Sequence, residues 1–245
     1  MTLVLASRAD GVATLGLNRP DRGNALGPEL VEALAEAFDR AVSHGARLVV
    51  LRGEGRHFCT GFDLTDLETL SDGDLLLRAV RIEQLLQRIH AAPVTTLAVA
   101  TGRTFGAGAD LFAACDRRIA AVGASFAFPG PAFGLVLGTA RLAAMVGRDR
   151  AREVLLAGRE LTAEAAVMAG LATAVLPAEA IPAEIARAAA DAARLDPDTV
   201  AALHRRTGQA EADADLAALV RSAARPGLKQ RILDYRTQVA ARRKA

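Results

Sequence analysis

The chain is poor in the residues that build metal sites and disulfide frameworks. Its 245 residues include two cysteines, Cys59 and Cys115, with no Cys-x-x-Cys spacing. That pattern excludes a disulfide scaffold and a thiolate metal knuckle, and it fits a reducing, cytoplasmic home. The four histidines, His44, His57, His90 and His204, are scattered without paired ligand spacing, so no metal site is expected. Charge of one sign is scarce as well. Thirty basic residues face 28 acidic ones for a formal net charge of +2. No dense basic run occurs before Arg242, Arg243 and Lys244. A nucleic-acid partner is therefore not expected, whereas a small anionic ligand stays open. No apolar stretch reaches membrane length without a charge, proline or glycine, so no membrane partner is expected either. The N-terminus has no basic start and no long apolar run, and no signal peptide is read there.

What is present is apolar mass. Hydrophobic residues, many of them alanine, make up 51% of the chain against 24% charged, enough for one large core with room for an appendage. "LVLA" and "VATLGL" flank "SRADG" and predict a hairpin around an Asp-Gly turn. "GPELVEALAEAFDRAV" carries Leu30, Leu34, Phe38 and Ala41 at helical spacing behind Pro28. "ARLVVLRG" and "VTTLAVA" predict buried strands, with the helix "LLLRAVRIEQLLQRIHAA" between them. "LFAACD" begins a helix and "RRIAAV" a short strand. This alternation predicts an α/β layout with right-handed crossovers. From about residue 137 the signals are helical, in "GTARLAAMVG", "RDRAREVLLAG", "TAEAAVMAG", "AEIARAAADAARL" and "DLAALVRSAA". "ATAVL" is placed to rejoin the sheet. "LPAEAIPAEI" reads as the boundary before an alanine-rich appendage that packs on a neighbour, in cis or in another subunit.

Two glycine-bearing turns hold the chemistry. "FGAGADLFAACD" packs Gly106, Ala107 and Gly108 just before Asp110. It is either a tight turn with Asp110 on the surface or a backbone bared for a ligand beside an acid. "RHFCTGFDLTDL" places Gly61 and Asp63 at another strand exit, with Asp63 able to cap the helix that follows. Two such exits, each near a helix N-terminus, could aim two N–H groups at one oxygen atom. Loss of one such donor costs about 2.7–4 kcal/mol of barrier. "GAGAD" is not a full Gly-x-Gly-x-x-Gly and no strand ending in an acid follows, which disfavours a Rossmann-type nucleotide site.

"LNRPDRGNALGPELVEAL", "LVVLRGEGRHFCTGFDL", "FGAGADLFAACD" and "EVLLAGRELTAEAAVMAGLATAVLP" together resemble the crotonase family, also called enoyl-CoA hydratase/isomerase. The resemblance covers about residues 10–178. It implies a ββα spiral core over residues 1–178 and a helical trimerisation region over 179–245, hence a homotrimer or a hexamer of two stacked trimers. It implies an acyl-CoA substrate, with coenzyme A part of that substrate and no separate cofactor. The family's oxyanion donors fall on the N–H groups of Phe62 and Ala107, with Gly106 beside them. The segment that bends CoA matches Arg22–Leu26, including Asn24 and Ala25. The adenine loop matches Thr60, Gly61, Asp63 and Leu64.

The sequence also departs from the family. One of its two catalytic glutamates falls on Asp110, whose carboxylate is withdrawn by roughly 1.5 Å. The other falls on Gly130 in "FAFPGPAFGLVLG", and no acid occurs between Asp116 and Asp149. Ala107 replaces a glycine, so a methyl group narrows the approach to its N–H. Asp110 is the candidate proton carrier, with a helix N-terminal acid as the structural alternative. Glu83 is a reserve candidate, read mainly as a solvated face residue. His57 reads as a structural loop histidine, Cys59 as a small buried residue without a base, and Cys115 and Asp116 as packing and turn residues. Phe126, Phe128 and Phe133 either wall an acyl pocket or plug the core. The expectation is a thioester enolate held by Phe62 and Ala107, with isomerisation or limited hydration. The alternatives are thioester hydrolysis, carbon–carbon cleavage, or a non-catalytic acyl-CoA-binding or structural subunit.

Overall fold

Asp10 and Gly11 reverse the chain where the hairpin is predicted. Both take left-handed backbone angles (φ 49° and 77°), as a two-residue hairpin turn demands. They join β1 (Val4–Ala9) to β2 (Val12–Leu17) with Ala9 opposite Val12. The computed structural model describes residues 2–207 and 212–242. Arg243 and Lys244 of the terminal basic run lie outside the described residues.

Pro28 opens α1 (Pro28–Ser43), whose Leu30, Val31, Leu34, Phe38 and Ala41 are buried along one face. The chain then runs into β3 (Leu48–Gly53), parallel to β2. Ser71 and Asp74 exchange hydrogen bonds in a capping box that starts α2 (Asp72–His90). Next come β4 (Thr95–Ala100), β5 (Arg103–Phe105), α3 (Ala107–Ala113), β6 (Arg117–Ala121) and β7 (Ser125–Ala127). Helix α3 begins four residues before the predicted "LFAACD", because Gly106 turns the chain at positive φ and the small residues behind it pack closely.

Helices α4 (Thr139–Val146) and α5 (Arg148–Ala157), strand β8 (Leu161–Thr162), helix α6 (Ala163–Met168) and strand β9 (Ala174–Leu176) follow. The main sheet has the order β1-β2-β3-β4-β6-β9 and is parallel after its first pair, so "ATAVL" does rejoin it. Its central strands are apolar on both faces because both are covered. Val49, Leu51 and Ala98 face the cluster that contains α1 and α2, while Leu48, Val50, Leu97 and Val99 face Ala188 and Ala192. A second sheet, β5-β7-β8, is absent from the sequence expectation. Its strands of two or three residues are too short to show a period.

The C-terminal helices are α7 (Ile181–Ala192), α8 (Pro197–Thr207), α9 (Ala212–Ala223) and α10 (Leu228–Arg242). Helices α8 and α10 were not foreseen. The tail packs in cis. Helix α7 covers the sheet, and Leu219, Ala223, Leu228 and Ile232 join Leu67, Leu75, Ala79 and Leu135 in a separate cluster. The Asp72 carboxylate accepts the N–H groups of Gly227, Leu228 and Lys229, fixing the start of α10 to the start of α2. Among the described residues, no helix is long and apolar enough to cross a membrane.

Candidate active site

The two glycine turns are joined to each other. Phe105 N–H donates to Cys59 O at 3.0 Å, while Gly106 N–H ties the second turn to β7 through Ala127 O at 2.8 Å. Gly61 has φ +96°, and a Cβ there would lie 2.6 Å from Phe105 O and 3.3 Å from Ala107 N. A Cβ on Gly108 would lie 2.2 Å from Cys59 O. Glycine is required here because two backbones pass in contact. The first turn does not open a helix, contrary to the sequence expectation. It runs through a parallel bridge, Leu26 with Phe62, and α2 starts ten residues after Phe62. Asp63 caps its own loop instead. Its Oδ1 accepts from Thr65 N (3.0 Å) and Oγ1 (2.6 Å), and its Oδ2 pairs with Arg19 at 2.8 Å. Burial raises the Asp63 carboxyl, but the bonds from Thr65 and Arg19 outweigh it and leave it below the ordinary range.

The bridge uses the Gly61 carbonyl and the Asp63 N–H, and so leaves Phe62 N–H unused. Ala107 is the first residue of α3, where an N–H has no intrahelical acceptor. Among the described residues, neither N–H donates to a protein group. Phe62 and Ala107 both line a cavity of about 250 Å³. Thr60, Leu64, Gly106, Asp110 and Gly130 line it as well. So do residues that the sequence reading missed: Leu155 from α5, and Tyr235 and Val239 from α10. The Tyr235 and Phe133 rings lie 5.4 Å apart. The spacing of Leu228, Ile232, Tyr235 and Val239 is helical, and that signal could have found α10. Phe128 and Phe133 line the cavity, but Phe126 is fully buried in the core, its ring 4.9 Å from that of Phe112.

Asp110 is the one carboxylate among the described residues that line this cavity. It is buried, not on the surface. Gly138 lies so near that a Cβ there would fall 2.2 Å from Asp110 Oδ1. Burial pushes the Asp110 carboxyl well above its usual range, the charge of Arg141 opposes this, and that of Glu83 adds to it. Glu83 is not a solvated face residue. Its side chain is 1% exposed and takes a hydrogen bond from Arg141 Nη2 at 2.8 Å. It stands four residues after Ala79 and three before Leu86, on the buried stripe of α2. Gly130 opens a short 3-10 turn closed by Leu135 N–H on its carbonyl, and a Cβ there would lie 3.2 Å from Leu135 O.

The two segments expected to hold CoA lie side by side: Thr60 N–H donates to Gly23 O at 2.9 Å and Leu26 N–H to Gly61 O at 2.7 Å. Arg22 is exposed, whereas Ala25 and Leu26 are buried. Asn24 is buried at φ 54° and holds the turn by bonds to Glu54 O, His57 O and Arg19 N. His57 Nδ1 accepts from Arg103 N–H, and burial, then Arg103 and Arg56, lower its pKa, as suits a structural histidine. Burial pushes the Cys59 thiol up to about 12 and raises that of Cys115 too, so both are inert. Asp116 accepts from Thr96 and pairs with His204 at 3.1 Å, tying α8 to the sheet.

Comparison with known proteins bears on the family and the fold. The model of the family described as Enoyl-CoA hydratase/isomerase matches residues 7–225. The chain is 38% identical over 189 residues to the Mycobacterium bovis protein named "Probable enoyl-CoA hydratase echA6", covering 75% of this chain and 76% of that one. It is 34% identical to a "Probable enoyl-CoA hydratase" of Bacillus subtilis, covering 78% and 76%. A solved structure from Bordetella parapertussis that carries an enoyl-CoA hydratase/isomerase name superposes with a TM-score of 0.93 at 49% identity, covering 96% of this chain and 98% of that one.

Proposed function

The chain belongs to the enoyl-CoA hydratase/isomerase family, and on that premise we propose that it binds an acyl-CoA thioester and moves a proton on it through Asp110. The observation that carries this reading is the pair of unused N–H groups, Phe62 and Ala107, on adjoining turns of one cavity that also holds a buried carboxyl. An enolate places its charge on the thioester oxygen, and two fixed donors in a largely apolar cavity stabilise that charge as it develops. Arg22 stands at the surface beside the Thr60–Leu64 loop, where the phosphates of CoA would meet it. Coenzyme A then enters as part of the substrate. With Gly130 in place of an acid, hydration of a simple enoyl-CoA is expected to be slow, and a double-bond shift needs one proton carrier only. The assembly expected is a homotrimer or a hexamer in the cytoplasm, and light scattering at micromolar concentration tests the subunit number.

The direct test is titration with a panel of acyl-CoA thioesters beside turnover of crotonyl-CoA. Binding with turnover that Asp110→Asn removes supports the reading. No binding of any CoA thioester overturns it. A second reading, a non-catalytic acyl-CoA-binding subunit, is favoured by the absence of an acid at Gly130. Tight binding without turnover of any enoyl-CoA would establish it.

A further inference from the structure

Helix α10 carries an apolar stripe that outruns the core it packs on. Leu228 and Ile232 lie in the buried cluster with Leu67, Leu75 and Ala79. Tyr235 and Val239 continue the stripe at helical spacing, half-buried among the exposed Asp234, Arg236, Thr237 and Gln238. Both line the cavity of about 250 Å³ that holds Asp110. Bonds within the protein hold the helix there. Arg231 donates from Nε to Phe133 O at 2.9 Å, and from Nη1 to Arg225 O (2.8 Å) and Pro226 O (2.7 Å). One turn on, the Tyr235 ring lies 5.4 Å from that of Phe133. Away from the two turns the lining is apolar, with Phe128, Leu135, Leu137 and Leu155 beside these two residues. Among the described residues that line the cavity there is no lysine, arginine or histidine. Arg231 close by already spends its guanidinium on backbone carbonyls.

We propose that α10 supplies, within the same chain, the wall that limits the acyl group, with Tyr235 and Val239 as specificity-determining residues, and that the group accepted is uncharged and apolar. This rests on the thioester reading above and names its substrate class. The cavity is smaller than the roughly 300–1,000 Å³ of pockets that enclose a drug-sized ligand, so it takes the acyl group and leaves CoA outside. Each methylene that reaches the apolar lining strengthens binding about fourfold. The gain stops where the chain meets α10, because a helix pinned to Phe133 cannot yield without breaking those bonds. A second carboxylate on the acyl group would be buried beside Asp110 with no cation to pair it, and an unpaired buried charge is costly.

Calorimetric titration of the intact protein with saturated acyl-CoA thioesters, from acetyl to dodecanoyl, reads this limit without turnover. In the wild type, affinity is expected to climb about fourfold per methylene and then to level off or fall. Val239→Ala should move that limit to longer chains and Val239→Trp to shorter ones. Gln238→Trp, on the exposed side of the same turn, should leave it in place. Should Val239→Trp fail to fold, Val239→Ala decides alone. Succinyl-CoA should bind about tenfold or more weakly than butyryl-CoA, which has the same number of acyl carbons. Affinity that ignores chain length or climbs through dodecanoyl, a limit that neither Val239 variant moves, or succinyl-CoA bound as tightly as butyryl-CoA overturns the proposal. Those results leave the thioester reading standing, because acetyl-CoA still binds. If no thioester binds at all, both fall together.

Discussion

The turns at 59–63 and 105–110 are built from the same parts and end in opposite chemistry. Each follows a strand, uses glycine where the two backbones touch, leaves one N–H unused and places an aspartate a few residues on. Asp63 finds Arg19 and Thr65 within its own loop and is held below the ordinary carboxylate range. Asp110 is carried by α3 into the core, where burial holds it above that range. Glycine followed by an acid thus has no fixed meaning. What decides is whether the next residues continue as a loop, which keeps the acid near polar partners, or as a helix, which turns it inward.

The largest effect should come from breaking the contact the turns share. Gly61→Ala places a Cβ 2.6 Å from the Phe105 carbonyl oxygen at a φ of +96°. Backbone cannot move aside as a flexible side chain can. Left-handed strain and overpacking together should cost about 3 kcal/mol or more, read as a fall in denaturant midpoint. A variant as stable as the wild type would show that the turns do not touch.

Next in size is the contrast between the two acids. Asp110→Asn should lower turnover by about 10²–10⁴-fold with thioester affinity kept, because the amide keeps the shape but cannot carry the proton. Asp63→Asn should do the reverse, leaving the chemical step intact and lowering stability by about 1–2 kcal/mol through its bonds to Arg19 and Thr65. Their pH signatures are opposite in sign. Asp63 has a depressed folded value, so its contribution is present above the unfolded value of about 4 and fades as pH falls through the folded one. Asp110 has a raised folded value, so stability should fall as pH rises from about 4 towards neutrality, by at most about 1.4 kcal/mol per unit. Urea melts against pH for wild type and both variants read the two slopes. Equal slopes in wild type and Asp110→Asn would remove the distinction.

Much of the scaffold is legible because periodicity is strong where elements are long. The apolar runs of β3 and β4, the spacing of α1 and the Asp10-Gly11 turn each carry a local cause. The cavity is less legible because it is assembled from distant pieces. Tyr235 reaches it from α10, 125 positions after Asp110. Glu83 was misread although Ala79, Ile82 and Leu86 surround it at helical spacing, because a charged residue counts against burial unless its partner is known. That partner, Arg141, lies 58 positions on and is itself one charge in an apolar run. The phenylalanines of 126–133 could not be sorted in the sequence, because three-residue strands do not reveal which face is inward.

The smallest effect sharpens the comparison at the residue where the turns differ most. Position 62 presents its N–H from a loop, whereas Ala107 presents its own from the first residue of a helix, with a methyl group beside the cavity. Ala107→Gly removes that methyl group and leaves the N–H in place. The cost is backbone entropy, about 0.5–1 kcal/mol, and at the first position of a short helix the lower end is expected. Thioester affinity should stay the same or rise, since nothing that contacts the carbonyl oxygen is lost. Ala107→Val is the control, adding bulk without charge, and should abolish thioester binding while the fold persists. Melting curves beside CoA-thioester titrations separate the two roles of this residue. If Ala107→Val lowered the melting temperature but bound thioesters normally, the second turn would be a packing device alone, and the resemblance between the two turns would end at their glycines.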